Sequence, residues 1–187
     1  MEAARQVLRY LKGVPGQGLL LKSDSNVRVY AYYDADWGAC PLTQRSLSGY
    51  YITIGGLTIS WKTKKQSTVS RSSAKAEYRA MANVTSVFIW IKSFLVSLWV
   101  FLDKPMKLYC DNQETLHIAK NSFFHEQTKH IEIDCHFFRE RLLSRDLETT
   151  YVPSKYQTAD IFTKPLKKQQ FQVLKGKLGI VNTHAPT

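Results

Sequence analysis

The stretch Val29-Tyr30-Ala31-Tyr32-Tyr33-Asp34-Ala35-Asp36-Trp37 decides the fold, because it reads as a strand that ends on carboxylates. Tyr, Val and Trp suit a pleated, half-buried surface. Alternation places Val27, Val29, Ala31 and Tyr33 on one side, and Arg28, Tyr30, Tyr32, Asp34 and Asp36 on the other. Carboxylates that close such a strand are costly to bury unless they are paired, hydrogen-bonded or bound to metal. An exposed turn at Asp34-Ala35-Asp36-Trp37-Gly38 would account for them equally well. The stretch alone leaves both readings open.

Working outward, a loop over 38–47 leads to a second strand over 48–54. Gly55-Gly56 is a hairpin signal and 57–62 is a third strand, so the spacing predicts an antiparallel meander. After a basic loop, Ser72 or Ser73 can cap a long helix. Met81, Val84, Phe88, Ile91, Leu95 and Leu98 recur along it at helical spacing, with Glu77 in its first turns. A fourth strand ends at Asp111. Helices follow over 113–120 and about 129–144, then a fifth strand over 148–152 and a short helix over 157–162 that carries Asp160. Strand–helix–strand crossovers are right-handed and parallel. The expectation is an α/β fold with a five-stranded mixed sheet, three antiparallel strands then two parallel, flanked by helices.

The opening 1–25, an amphipathic helix stopped by Gly13, Pro15, Gly16 and Gly18, reads as the end of an upstream region. Residues 26–166 read as the domain proper, and 167–187 as a basic, partly flexible tail. The 187 residues hold 26 Lys and Arg against 15 Asp and Glu, a net +11 that favours a polyanionic partner such as nucleic acid. An anionic membrane surface or a solvated charged face would carry a similar balance. Cys40, Cys110 and Cys135 have no metal-binding spacing and read as reduced small hydrophobes. There is no signal peptide. The most apolar window, 84–102, is interrupted by Ser86, Lys92 and Ser93, so no membrane partner is expected and an intracellular protein is.

Asp34, Glu77, Asp111 and Asp160 can project toward one sheet edge if the first and fourth strands are neighbours. Carboxylates without a His or Cys partner suit hard cations such as Mg²⁺. Two such ions about 3.5–4 Å apart clamp the attacking and leaving oxygens of a phosphoryl displacement.

Six blocks carry a resemblance. They are Tyr33-Asp34-Ala35-Asp36-Trp37-Gly38, Arg45-Ser46-Leu47-Ser48-Gly49-Tyr50, Ser70-Arg71-Ser72-Ser73-Ala74-Lys75-Ala76-Glu77-Tyr78, Tyr109-Cys110-Asp111-Asn112-Gln113, His125-Glu126-Gln127-Thr128-Lys129-His130-Ile131 and Ala159-Asp160-Ile161-Phe162-Thr163-Lys164-Pro165-Leu166. In this order they resemble the ribonuclease H domain of Ty1/copia-type retrotransposon Pol polyproteins, and the opening helix resembles the end of the preceding reverse transcriptase connection. The resemblance implies a ribonuclease H-like fold and a metal-binding tetrad of Asp34, Glu77, Asp111 and Asp160. It also implies two Mg²⁺ ions, with Mn²⁺ as a substitute. The implied reaction is cleavage of the RNA strand of an RNA–DNA hybrid, leaving a 3′-hydroxyl and a 5′-phosphate. In that mechanism Asp34 and Asp111 serve both ions, Glu77 the side of the attacking water and Asp160 the leaving side. The implied partners are the hybrid and the reverse transcriptase domain of the same polyprotein, in a cytoplasmic retrotransposon particle or the nucleus. Lys75 stands where many relatives carry Glu, Tyr33 replaces a commoner small residue, and 150–158 lack the His of cellular relatives.

The resemblance suggests that Gln113 reads the hybrid's minor groove beside Asn112; an amide can both donate to and accept from a 2′-hydroxyl. Ser72 and Ser73 are caps or phosphate contacts, the cap being favoured. Lys62, Lys64, Lys65 and Arg71, interleaved with Trp61, would line a hybrid groove or form a solvated face. Asp36 reads as a turn or supporting carboxylate rather than a fifth ligand. His125, His130 and His136, spaced by five and six residues, do not match a zinc pattern. Two other readings remain: an inactive module that holds nucleic acid or a reverse transcriptase, and a nuclease of the same fold class that acts on DNA.

Overall fold

The computed structural model describes residues 1–21, 23, 26–120 and 129–183, and of 118–120 and 129–132 the backbone alone. α1 (Glu2–Gly13) and β1 (Gln17–Leu19) precede the meander of β2 (Val29–Asp36), β3 (Leu47–Ile54) and β4 (Leu57–Lys65). α2 (Ser73–Ser97), β5 (Met106–Cys110), α3 (Gln113–Lys120), α4 (Lys129–Leu143) and β6 (Leu147–Tyr151) follow. Two 3-10 turns (Ser154–Tyr156 and Thr158–Phe162), α5 (Lys168–Lys177) and β7 (Ile180–Asn182) complete the chain.

The main sheet has the order β4-β3-β2-β5-β6. β2, β3 and β4 pair antiparallel, whereas β5 runs parallel to β2 and β6 parallel to β5. The fold class read from the sequence is therefore the observed one. β2 and β5 are neighbours, with Tyr32 beside Tyr109, so the ends that carry Asp34 and Asp111 lie side by side. The parallel pairing follows from the crossover through α2: a chain that leaves the end of one strand and returns over the face must re-enter at the opposite end.

One face of the sheet is dry. Val29, Ala31 and Tyr33 of β2 join Ile52, Met106, Leu108 and Cys110 under Tyr78, Met81, Val84 and Phe88 of α2 and Phe138 of α4. α2 is long and apolar enough to cross a membrane by length and composition, but its apolar side is spent on this core, from Ala76 to Leu95. Its start is fixed in two ways. The Ser72 hydroxyl caps it by accepting from the Lys75 N–H at 3.3 Å. The buried Gln66 amide donates to Ser48 Oγ and to the Ala76 carbonyl, both at 2.9 Å, and accepts from the Ser70 hydroxyl. Together they place Glu77 over the end of β2.

The other face carries rings. Tyr32 stacks on Tyr109 at 4.6 Å, and Tyr51 lies against Phe162 at 6.2 Å. α5 covers part of it, through buried Leu174 and Leu178 and a 2.7 Å hydrogen bond from Thr58 Oγ1 to the Leu178 carbonyl.

Three expectations differ from the structure. The partly flexible tail from 167 is, up to Thr183, a helix and a strand, and β7 pairs antiparallel with β1 from Gln17–Asn182 to Leu19–Ile180. Residues Gln17–Leu19 of the opening region are thereby tied to the C-terminal end. Two leucines spaced four apart in a Lys- and Gln-rich stretch are too thin a pattern to announce that helix. The short helix expected over 157–162 is a 3-10 turn over Thr158–Phe162 with Gln157 as its cap, and β4 runs on to Lys65.

Candidate metal centre

Asp34 sits near the end of β2 opposite Gly49, which lacks the side chain that would fill the space above it. A Cβ on Gly49 would lie 2.6 Å from Thr163 Cγ2 and 3.0 Å from Phe162 Cβ. That absence lets the second 3-10 turn settle on the sheet and bring Asp160 in. The carboxylate of Asp34 is 2% exposed, and both its oxygens are used: Thr163 Oγ1 donates to Oδ2, and Lys164 Nζ donates to Oδ1 at 3.0 Å. The same ammonium donates to Asp160 Oδ1 at 2.9 Å. Asp111, just beyond β5, is half-buried and among the described residues receives one long contact, 3.5 Å, from Gln157 Nε2. Gln157 is wholly buried, donates to the Tyr33 carbonyl at 3.0 Å and accepts from the Ala159 N–H, so it pins the turn to β2.

One carboxylate oxygen from each of Asp34, Asp111 and Asp160 lies within 4.8 Å of the others. Glu77 stands beside this trio. Its Oε1 accepts from the Ala35 N–H at 3.2 Å, while Oε2 is buried with no partner among the described residues. All but Asp160 line one open cleft of about 440 Å³, with Asn112, Gln113 and Lys164.

Burial and neighbouring charge push Glu77 and Asp160 toward their neutral forms. Burial lifts the Glu77 carboxyl well above the ordinary range, and the charge of Asp34 adds to the shift. Asp160 is pushed up to about 6, chiefly by burial, against the opposing hydrogen bond from Lys164 and with the help of Asp34. Asp36 is also raised, by burial and then by Asp34. In chelator, the unfolded chain releases the Asp160 proton near pH 3.8 and the folded chain keeps it to about 6. Stability present at lower pH is therefore lost as pH rises through this window. Denaturant midpoints across the window should show a weaker downward slope in Asp160→Asn; equal slopes would contradict the assignment.

The residues fit a hard divalent cation. The donors are carboxylate oxygens alone, and Glu77 Oε2 is an acceptor with no use inside the protein among the described residues. Of the sequence-derived candidates, Asp34, Asp111 and Asp160 are gathered and Glu77 adjoins them. Asn112 caps α3, its Oδ1 accepting from the Thr115 N–H at 3.0 Å, and Gln113 is exposed at the cleft. Ser73 and Arg71 are exposed at the start of α2, and Ser72 between them is half-buried. Lys62, Lys64 and Lys65 are exposed on the edge strand β4, but alternation puts Lys62 and Lys64 on one face and Lys65 on the other with Trp61. His136 is exposed; His125 and the side chain of His130 lie outside the described residues. Sequence reasoning missed Lys164, Thr163, Gln157 and Gly49. Only Lys164 carried a signal, its four-residue step from Asp160.

A mixed sheet in this order, with carboxylates at the ends of two adjacent strands, defines the ribonuclease H-like fold. LC11-RNase H1, solved with an RNA/DNA hybrid, superposes with a TM-score of 0.54 at 14% identity over 73% of this chain and 94% of that one. A second structure of LC11-RNase H1, isolated from compost by a metagenomic approach, gives 0.55 at 16% identity, over 74% of this chain and 94% of that one. The chain matches no family model. It is 41% identical over 180 residues, 96% of its length, to the retrovirus-related Pol polyprotein from transposon RE1 of Arabidopsis thaliana. It is 33% identical over 179 residues, again 96% of its length, to that from transposon TNT 1-94 of Nicotiana tabacum. It spans 12% and 13% of those relatives. The chain is thus homologous along 96% of its length to a segment of the Pol polyproteins of copia-type retrotransposons, and its fold is that of ribonuclease H.

Proposed function

We propose that this chain is a metal-dependent endoribonuclease that hydrolyses the RNA strand of RNA–DNA hybrids during retrotransposon reverse transcription. The observation that carries the reading is the gathering of Asp34, Asp111 and Asp160 beside Glu77 at one open cleft. Bound Mg²⁺ or Mn²⁺ would supply positive charge for the attacking and leaving oxygens of the phosphodiester. Asp34 and Asp111, on adjacent strands, would hold it rigidly, and Glu77 and Asp160 would complete the set. Gln113 and Asn112 line the cleft, and the exposed Gln113 amide would there be able to recognise a 2′-hydroxyl. The fold shared with LC11-RNase H1 and the kinship with Pol polyproteins support this reading. The reverse transcriptase domain of the same polyprotein would be the partner, and the retrotransposon particle in the cytoplasm the setting.

The test is cleavage of an end-labelled hybrid by the purified chain with Mg²⁺, with Mn²⁺ and with chelator, beside duplex DNA of the same sequence. Metal-dependent cutting of the RNA strand alone is the expected result. Cutting of duplex DNA would make it a DNA nuclease, and hybrid binding without cutting would make it a holding module. For the basic edge, exchanging Lys62, Lys64 and Lys65 together for Gln should weaken hybrid binding and flatten its salt dependence, by about one unit of slope for each phosphate no longer neutralised. An unchanged slope would mark the edge as a solvated face.

A further inference from the structure

Lys164 has no place in the proposed tetrad, yet it touches two of its members. It follows Thr163 at the end of the second 3-10 turn, one helical step after Asp160. Its ammonium lies 3.0 Å from Asp34 Oδ1 and 2.9 Å from Asp160 Oδ1. Those side chains are 2% and 6% exposed, while that of Lys164 is 35% exposed. The cation is therefore seated on the carboxylates from the solvent side, at the mouth of the cleft.

The oxygens are few. Asp34 offers two, one taken by Lys164 and the other by the Thr163 hydroxyl, and Asp160 Oδ1 is taken by Lys164 again. Like charges this close and this buried repel strongly, and an ammonium between two of them relieves the repulsion. A divalent ion that uses the same oxygens must take them from the ammonium. Lys suits this better than Arg would, because its charge sits on a flexible four-carbon stem and makes no fixed planar fork.

We propose that Lys164 is a built-in counter-ion of the carboxylate cluster, which holds Asp34 and Asp160 together without metal, competes with divalent cations for them, and is released into the cleft when they bind. The inference rests on the reading of the cluster as a metal centre. It makes Lys164 a residue that sets metal affinity, not a ligand. It also means that binding of the ion turns a charge buried in pairing into a free ammonium beside the place where a phosphate would lie.

Two measurements test it, neither of which depends on turnover. The first is calorimetric titration with Mn²⁺ and with Mg²⁺ of the wild type and of Lys164→Met, which keeps the stem and removes the charge. The variant should bind about tenfold more tightly or better, since one positive charge a few ångströms from the ion has been withdrawn. Equal or weaker binding by the variant would overturn the proposal. Absence of binding heat in both proteins, with no shift in their thermal midpoints on adding metal, would overturn the metal-centre reading together with it. The second uses the wild type alone and survives a variant that does not fold: labelling of Lys164 by an amine acylating reagent, read by mass spectrometry of its peptide, with chelator and with saturating Mn²⁺. Labelling should rise several-fold with Mn²⁺; no change would overturn the proposal.

Discussion

Asp111→Asn is expected to reduce cleavage of the RNA strand by about a thousandfold or more, some 4 kcal/mol of barrier, with the protein as stable as the wild type. Asn keeps the shape of the side chain, so packing at the end of β5 is undisturbed. Asp111 is half-buried, and the hydrogen bond its carboxylate receives is the long one from Gln157 Nε2. The fold therefore depends little on its charge. The cluster does the opposite: Asp34 and Asp160 are already partnered by Thr163 and Lys164, which leaves Asp111 the carboxylate of the trio most open to an incoming cation. Withdrawing one negative charge from mutually repelling carboxylates also favours the folded state slightly. Denaturant unfolding and hybrid cleavage measured on the same preparation separate the two effects. Retention of full activity would sink the metal-centre assignment, and loss of folding would show that the charge is structural.

Gly49→Ala should cost about 1–3 kcal/mol of stability, the usual range for overpacking a closed site. Its new Cβ would stand 2.6 Å from Thr163 Cγ2 and 3.0 Å from Phe162 Cβ. Neither atom yields cheaply. Thr163 is β-branched, buried and bonded to Asp34, and Phe162 Cβ is fixed to the backbone of the turn. The turn must lift, carrying Asp160 and Lys164 away from Asp34. A displacement of about 1 Å in a reacting constellation can cost roughly a hundredfold in rate. Gly176→Ala is the control, since a Cβ there meets nothing within 4 Å. Thermal midpoints and cleavage rates of the two variants should diverge sharply. An unaffected Gly49→Ala would mean that the turn is not seated as described.

The four carboxylates are legible in the sequence as candidates because Asp34, Glu77 and Asp111 each close or open an element whose own pattern is strong. Alternating aromatics lead to Asp34, a short apolar strand to Asp111, and a capped amphipathic helix begins just before Glu77. What holds these elements in register is not legible there. The space over Gly49, the bond from Thr163 to Asp34 and the amide of Gln157 against Tyr33 join residues more than a hundred positions apart. No local periodicity reports such contacts. The same limit hides the pairing of β1 with β7: each is a three-residue strand, and each is meaningful only beside the other. Lys164 shows in the sequence only its four-residue step from Asp160, because its role depends on which carboxylates fold around it.

The separation of Asp34 from Thr163, 129 residues along the chain, bears on when the carboxylate centre can close. Translation needs roughly 6–26 s to cross that interval at ordinary elongation rates. In the later part of it, once Lys65 has been added, the meander exists with its first carboxylate, and the turn that seats against it does not. An unfinished or truncated product can thus possess most of the sheet and none of the closed centre. The centre can close only in a chain synthesised past Lys164, so on the proposed function cleavage competence would follow the synthesis of that turn and not of the sheet.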